Sequence, residues 1–286
     1  MKKIKKIAVI GTGTMGHGIA LVCARSGYEV VMNDIKESFL KNGLRRIEEF
    51  LTRSVEKEKM TGEEKKQVLS KIKGTTNLNE VKDCDLIIEA ISEKADLKKK
   101  LFKELDRLCP KKVIFASNTS AISITELALV TKRPDKFIGM HFMNPAPVIK
   151  LVEVVKGKKT SEETIQTIKE LAIRMEKIPI EVNDSPGFIS NRLLIPMINE
   201  AAYCLMEGVA KREAIDNVMK VGMNHPMGPL ELADLIGIDT CLYIMEELHK
   251  GFSNSKYRPC PLLKKMVKAG YLGRKTGKGF YNYQKK

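Results

Sequence analysis

Two hydrophobic patterns divide the chain. In the first part, short apolar runs alternate with longer amphipathic stretches. The runs are Ile7-Ala8-Val9-Ile10, 28–34, 85–90, 113–117 and 137–142. A short apolar run bounded by polar residues reads as a strand buried on both faces. Between the runs, 15–26 and 97–108 carry apolar residues at helical spacing. This alternation predicts a parallel sheet covered by helices on both sides, an α/β layer. A strand over 151–155, a helix over 162–176 and a strand over 179–182 extend it. Residues 36–73 interrupt the pattern. They read as a long, charged helical excursion, a hairpin broken near Thr61-Gly62.

The pattern changes at Asn183-Asp184-Ser185-Pro186-Gly187. Beyond it strand signals cease and helical spacing takes over, at 189–207, 211–220, 230–236, 239–250 and 262–269. Pro226, Gly228, Pro229, Pro259 and Pro261 punctuate these helices. A boundary near 184 therefore separates domain 1–184 from an all-helical domain 185–286. A length of 286 residues fits two domains of about 150 each. There is no internal repeat and no low-complexity tract.

The first strand runs directly into Gly11-Thr12-Gly13-Thr14-Met15-Gly16, which opens the first helix. The second strand ends at Asp34. A strand, a glycine turn, a helix, a strand and then a carboxylate is the order a dinucleotide site requires. Gly11 permits the tight turn, Gly13 lets backbone approach a pyrophosphate, and Gly16 lets the helix pack on the strand. The helix N-terminus offers N–H groups and a positive dipole to phosphates. A packing-only glycine turn is the bland alternative. The first domain is thus expected to be a Rossmann-type, doubly wound, mostly parallel sheet.

Composition narrows the classes. The formal net charge is +15, which raises nucleic-acid binding. The lysines, however, are interleaved with glutamates, as in Glu56-Lys57-Glu58-Lys59, and no tract alternates basic with aromatic residues. A solvated surface or a highly anionic small substrate suits this pattern better. The six cysteines, at 23, 84, 109, 204, 241 and 260, form no C-x-x-C pair. They read as reduced thiols of a cytoplasmic protein, with neither a metal knuckle nor a disulfide framework. No run is long enough to span a membrane. The Met-Lys-Lys start resembles a signal n-region, but the apolar run behind it is too short for an h-region.

Candidate chemistry lies where strands end. The run 113–117 leads into Asn118-Thr119-Ser120, and 137–142 contains His141, followed by Asn144-Pro145. A histidine there can exchange a proton with a substrate hydroxyl near neutral pH. Glu153 interrupts an apolar strand and, if buried, must be paired. His141 is one candidate partner and a lysine is another. A core histidine with no catalytic task is the competing reading of His141.

The segments SNTSAISIT, MHFMNPAPVIKLVEVVKG, DSPGFISNRLLIPMINEA, NHPMGPLELAD and GRKTGKGFYNY carry the chain further. In order and spacing, over essentially the whole length, they resemble the short-chain 3-hydroxyacyl-CoA dehydrogenase family, and its bacterial 3-hydroxybutyryl-CoA branch most of all. The resemblance implies NAD as cofactor in preference to NADP, a helical C-terminal domain that forms a homodimer, and a cleft between the domains. It implies interconversion of (S)-3-hydroxybutyryl-CoA and acetoacetyl-CoA. By motif, His141 becomes the general acid/base, Glu153 its orienting partner, and Ser120 and Asn191 donors to the substrate's 3-oxygen and thioester region. The cofactor would meet Gly11, Thr12, Gly13, Thr14, Met15, Gly16, Asp34, Glu93, Lys98, Ser120, Asn144 and Lys275. Coenzyme A would meet Ser120 and Lys57, the latter on a helix over 47–59. Met143, Ala121 and Ser190 depart from the family pattern. Met143 and Ala121 flank the site, where acyl chain length would be read. No metal, nucleic acid or membrane partner is implied. A dehydrogenase of a sugar acid or another 3-hydroxy acid is the related alternative, and a non-catalytic nucleotide sensor is the alternative of a different class.

Overall fold

The computed structural model of the chain describes residues 4–283. The Met-Lys-Lys start lies outside the described residues. The chain divides after Asp184 into two compact units.

The first unit holds eight strands: β1 (Lys6–Ile10), β2 (Glu29–Asn33), β3 (Ile72–Thr75), β4 (Leu86–Glu89), β5 (Ile114–Ser117), β6 (Phe137–Phe142), β7 (Leu151–Lys156) and β8 (Ile178–Asn183). They form one sheet in the order β3-β2-β1-β4-β5-β6-β7-β8. Six of its helices cover the sheet: α1 (Gly16–Arg25), α2 (Glu37–Glu56), α3 (Gly62–Ser70), α4 (Ala95–Leu108), α5 (Ile124–Ala128) and α6 (Glu162–Arg174). The chain winds outward from β1 through β2 to β3. It then returns to the other side of β1 as β4. Strand order reverses between β1 and β4, which is where open α/β sheets bind ligands beyond the strands' carboxyl ends.

The central strands are apolar on both faces because both are buried. Ile7 and Val9 join Leu21, Ile47 and Leu51 in one core. Phe115 and Phe137, partners across β5 and β6, pack with Phe102 of α4 at ring distances of 5.9 and 4.6 Å. Each buried Phe, Leu or Ile contributes roughly 1.5–3 kcal/mol relative to an exposed one.

Three expectations change here. The excursion 36–73 does not stay helical to its end. Its last residues enter β3, which pairs with β2 in parallel. This strand has Gly74 where a Cβ would lie 3.1 Å from both methyl carbons of Leu40, so α2 packs tightly over that glycine. The helix expected over 47–59 ends at Glu56, and Lys57 is its C-cap. Finally, β6 and β7 pair antiparallel while the other pairs are parallel. The connection 143–150 is too short for a crossover, which takes a dozen or more residues.

The second unit has five α-helices among the described residues: α7 (Ser190–Met206), α8 (Arg212–Asn217), α9 (Pro229–Ile236), α10 (Ile238–Phe252) and α11 (Pro261–Lys268). The helix expected over 211–220 widens into a π-turn at Val218–Gly222. Ile198, Ala202, Leu230, Met245 and Leu263 belong to its own core. The GRKTGKGFYNY segment is held by buried Asp234. Its carboxylate accepts from the Phe280 and Tyr281 N–H groups, both at 2.9 Å, and from the Tyr283 hydroxyl at 3.0 Å. A Cβ on Gly279 would stand 1.9 Å from Asp234 Oδ1, so that glycine is demanded by the lock. Among the described residues no helix is long and apolar enough to cross a membrane.

Candidate active site

The glycine turn leaves β1 at the reversal of strand order. Gly11 takes φ +91°, and a Cβ there would meet the Ala90 carbonyl at 2.6 Å. A Cβ on Gly16 would stand 1.7 Å from the Gly11 carbonyl oxygen. Both glycines are therefore required to close the turn. Gly13 differs. A Cβ there would meet nothing within 4 Å, so packing does not demand a glycine at that position.

Asp34 follows β2 and closes over the turn. Its Oδ2 accepts from Thr12 N at 2.7 Å and Thr12 Oγ1 at 2.8 Å, and its Oδ1 accepts from Ile35 N at 2.8 Å. A carboxylate oxygen has two acceptor sites, so Oδ1 retains capacity for a ribose hydroxyl. Gly11, Gly13, Asp34, Ile35, Ile91 and Lys100 border a cavity of about 540 Å³, adjoining the α1 N-terminus where Thr14 and Met15 lie. These residues fit a dinucleotide.

His141 sits near the end of β6, directly opposite Glu153 of β7 in the antiparallel register. Directly opposed residues project to the same face, and here Nδ1 of His141 lies 2.8 Å from Glu153 Oε2. Both side chains are buried, 7% and 2% exposed. An ionised carboxylate only accepts hydrogen bonds, so Nδ1 carries the proton and donates it. The neutral ring then has its basic lone pair on Nε2.

Between the turn and this pair lies a buried polar network. Glu89, at the end of β4 and fully buried, accepts from Ser117 Oγ at 2.6 Å, Ile91 N at 2.7 Å and Lys98 Nζ at 2.5 Å. Burial pushes the Glu89 carboxyl above the usual carboxylate range, against the opposing pull of the Lys98 ammonium. Lys98 also pairs with Glu93 at 3.2 Å and reaches the Ile91 carbonyl at 3.4 Å. Glu93 in turn accepts from Thr119 Oγ1 and from the N–H groups of Ser120 and Ala121, at 2.5, 2.7 and 3.2 Å. Asn118 Oδ1 accepts from Phe142 N at 2.9 Å, tying the loop to the strand of His141. The loop that presents Ser120 is thus fixed from both sides. Lys98, expected as a cofactor ligand, has its Nζ within 3.4 Å of oxygens of Glu89, Glu93 and Ile91.

Asn144 is exposed on the connection after β6, and Lys57 is exposed at the end of α2. Asn191 and Lys275 belong to the second unit. Asn191 is in the first turn of α7, and the Lys275 ammonium pairs with both oxygens of Asp239, at 2.5 and 2.6 Å. Arg192, read as either a cleft residue or half of an ion pair, lies over the Phe252 ring at 4.5 Å. All six cysteines are free thiols. Among the described residues no group of histidine, cysteine and acids is placed to hold a metal. Sequence reading missed Glu89. The signal was present, a lone acid in the apolar run Asp85-Leu86-Ile87-Ile88-Glu89, the same signal that singled out Glu153.

Comparison with known proteins finds relatives over both units. Residues 6–185 match the family model of the 3-hydroxyacyl-CoA dehydrogenase NAD-binding domain, and residues 187–283 match that of the 3-hydroxyacyl-CoA dehydrogenase C-terminal domain. The probable 3-hydroxybutyryl-CoA dehydrogenase of Bacillus subtilis is 57% identical over 284 residues, 99% of each chain. The 3-hydroxybutyryl-CoA dehydrogenase of Bradyrhizobium diazoefficiens is 52% identical over 281 residues, 98% of this chain and 96% of that one. The crystal structure of (S)-3-hydroxybutyryl-CoA dehydrogenase from Ralstonia eutropha superposes with a TM-score of 0.96 at 50% identity, covering 99% of this chain and 100% of that one.

Proposed function

The chain belongs to the 3-hydroxyacyl-CoA dehydrogenase family, and from that premise we propose that it interconverts (S)-3-hydroxybutyryl-CoA and acetoacetyl-CoA with NAD(H). The observation that carries the proposal is the His141–Glu153 pair, buried beside the carboxyl ends of strands that also present the glycine turn. The names of the B. subtilis and R. eutropha relatives supply the four-carbon substrate.

When bound, the nicotinamide supplies the hydride acceptor or donor. The chain's own residues do the rest. In oxidation, Nε2 of His141 takes the substrate hydroxyl proton; in reduction it returns that proton to the 3-oxygen. Glu153 holds the ring in one tautomer and stabilises the imidazolium that forms, as a carboxylate does for a general base in other enzymes. Ser120, on its fixed loop, orients the substrate oxygen. Gly11 to Gly16 would hold the pyrophosphate, and Asp34 the adenosine ribose. Asn144, Glu93, Asn191 and Lys275 are assigned to the site by motif. The second unit is assigned the contact that forms a homodimer.

The test is absorbance at 340 nm with acetoacetyl-CoA and NADH. Turnover at a kcat/KM of about 10⁴ M⁻¹s⁻¹ or more, typical of an enzyme on its own substrate, is expected. Turnover of free 3-hydroxy acids or sugar acids, with none of acetoacetyl-CoA, would overturn the reading. Asp34 also implies a preference for NADH, because its carboxylate would repel a 2′-phosphate. The Asp34→Ala variant should narrow the NADH:NADPH ratio of kcat/KM. The same change removes two bonds to Thr12, so NADH should weaken as well. A wild-type enzyme that favours NADPH would refute the assignment.

A further inference from the structure

Lys177 is a buried cation that the mechanism above does not use. It lies between α6 and β8, after Glu176 at φ 57°, and is 7% exposed. Buried lysines are rare, because an ammonium loses hydration that only good hydrogen bonds replace. Nζ of Lys177 donates to the carbonyls of Ala146 at 2.6 Å and Ile149 at 2.8 Å. Both belong to the 143–150 connection between β6 and β7. That connection begins two residues after His141 and carries Asn144. Within it, the N–H groups of Val148 and Ile149 both reach the Pro145 carbonyl at 3.0 Å.

The other side of the connection rests on α1. A Cβ on Gly18 would come 3.2 Å from Pro147 Cδ and 3.4 Å from Ala146 Cβ. The connection is therefore clamped between Lys177 and the helix that the glycine turn opens. Buried carbonyls need donors, and one ammonium serves two of them with short, charge-assisted bonds. Burial holds the Lys177 pKa below the ordinary lysine value, with a smaller effect of the Arg25 charge.

We propose that Lys177 is a positioning residue, fixing the β6–β7 connection that carries Asn144, which the motif assigns to the cofactor. It acts through the backbone and touches neither substrate nor cofactor. The proposal rests on the dehydrogenase reading, so wild-type turnover is measured first and every variant is compared with it. Lys177→Met keeps the length and apolar stem but removes the donors. Because small displacements at a site can cost up to ~100-fold, it should raise the KM for NADH about tenfold. The KM for acetoacetyl-CoA should stay within about twofold, since the substrate contacts assigned to Ser120 lie on a different loop. Lys177→Arg, which retains charge and donors, should restore the NADH KM to within about threefold of wild type. If Lys177→Met does not fold, Lys177→Gln, which keeps an uncharged amide donor group, should show the same split at about threefold. Folded variants that lose thermal stability while both KM values stay at wild type would overturn the proposal, as would equal rises in both. An inactive wild type that still binds NADH would instead overturn the substrate reading and leave the Lys177 test to NADH affinity, measured by fluorescence.

Discussion

Glu153 and Glu89 bear the same mark, a single carboxylate inside an apolar strand, and the mark says that a partner exists without saying which. For Glu153 the partner is set by strand register. For Glu89 it is Lys98, nine residues on, and that pairing depends on how α4 docks against the sheet. Nothing in local spacing distinguishes Lys98 from its more accessible neighbours Lys99 and Lys100. This is why buried acids were legible in the sequence and the network around them was not. If His141 and Glu153 act as one unit, His141→Ala should lower kcat by about 10²–10⁴-fold, the usual range for general acid–base catalysis. NADH affinity should be retained. Glu153→Gln should also lower kcat, because an amide cannot stabilise an imidazolium. Glu153→Ala added to His141→Ala should cost little more, since members of a unit are not additive. A His141→Ala enzyme keeping more than about a tenth of wild-type kcat, with chemistry rate-limiting, would refute the assignment.

Among the elements, those with continuous apolar runs or strong helical periodicity were readable to within a residue or two. Element β3 was not. Its four residues include Lys73 and Gly74, and its strand character comes from pairing with β2 and from the fit of Leu40 over the glycine. The antiparallel turn of β7 was foreshadowed only by the brevity of 143–150. Helix α2 ends earlier than the resemblance implied, and this bears on Lys57. As a C-cap residue, Lys57 has a structural explanation of its own, a cation at the negative end of a helix dipole. If it also meets the phosphates of coenzyme A, Lys57→Ala should raise the KM for acetoacetyl-CoA about tenfold at low salt and less at high salt. The KM for NADH should not move. An unchanged acyl-CoA KM at low salt would assign the phosphates to another cation.

At the scale of the molecule, the formal net charge is +15, and the α-helices carry almost none of it, with 20 basic against 21 acidic residues. Lys41 pairs with Glu37 and Lys66 with Glu63 within a helical turn, contacts worth little individually. The second unit exposes apolar side chains at Leu193, Val209, Val218, Val221 and Met223, each 60% or more accessible. Contiguous exposed apolar surface marks interfaces, and a second copy is the proposed occupant. Light scattering at micromolar concentration should give twice the 32.1 kDa chain mass, and Leu193→Glu combined with Val221→Glu should shift it toward the single-chain value. A wild-type mass of one chain would refute the homodimer. The division after Asp184 has a further consequence for how the protein is made. Every strand of the sheet, the glycine turn, Asp34, His141 and Glu153 precede that residue. A ribosome has therefore finished these parts of the cofactor cradle before it begins α7, and domains generally fold as units in the order of synthesis. Free dinucleotide in the cell can then bind and stabilise the first unit by mass action while the helical unit is still being translated.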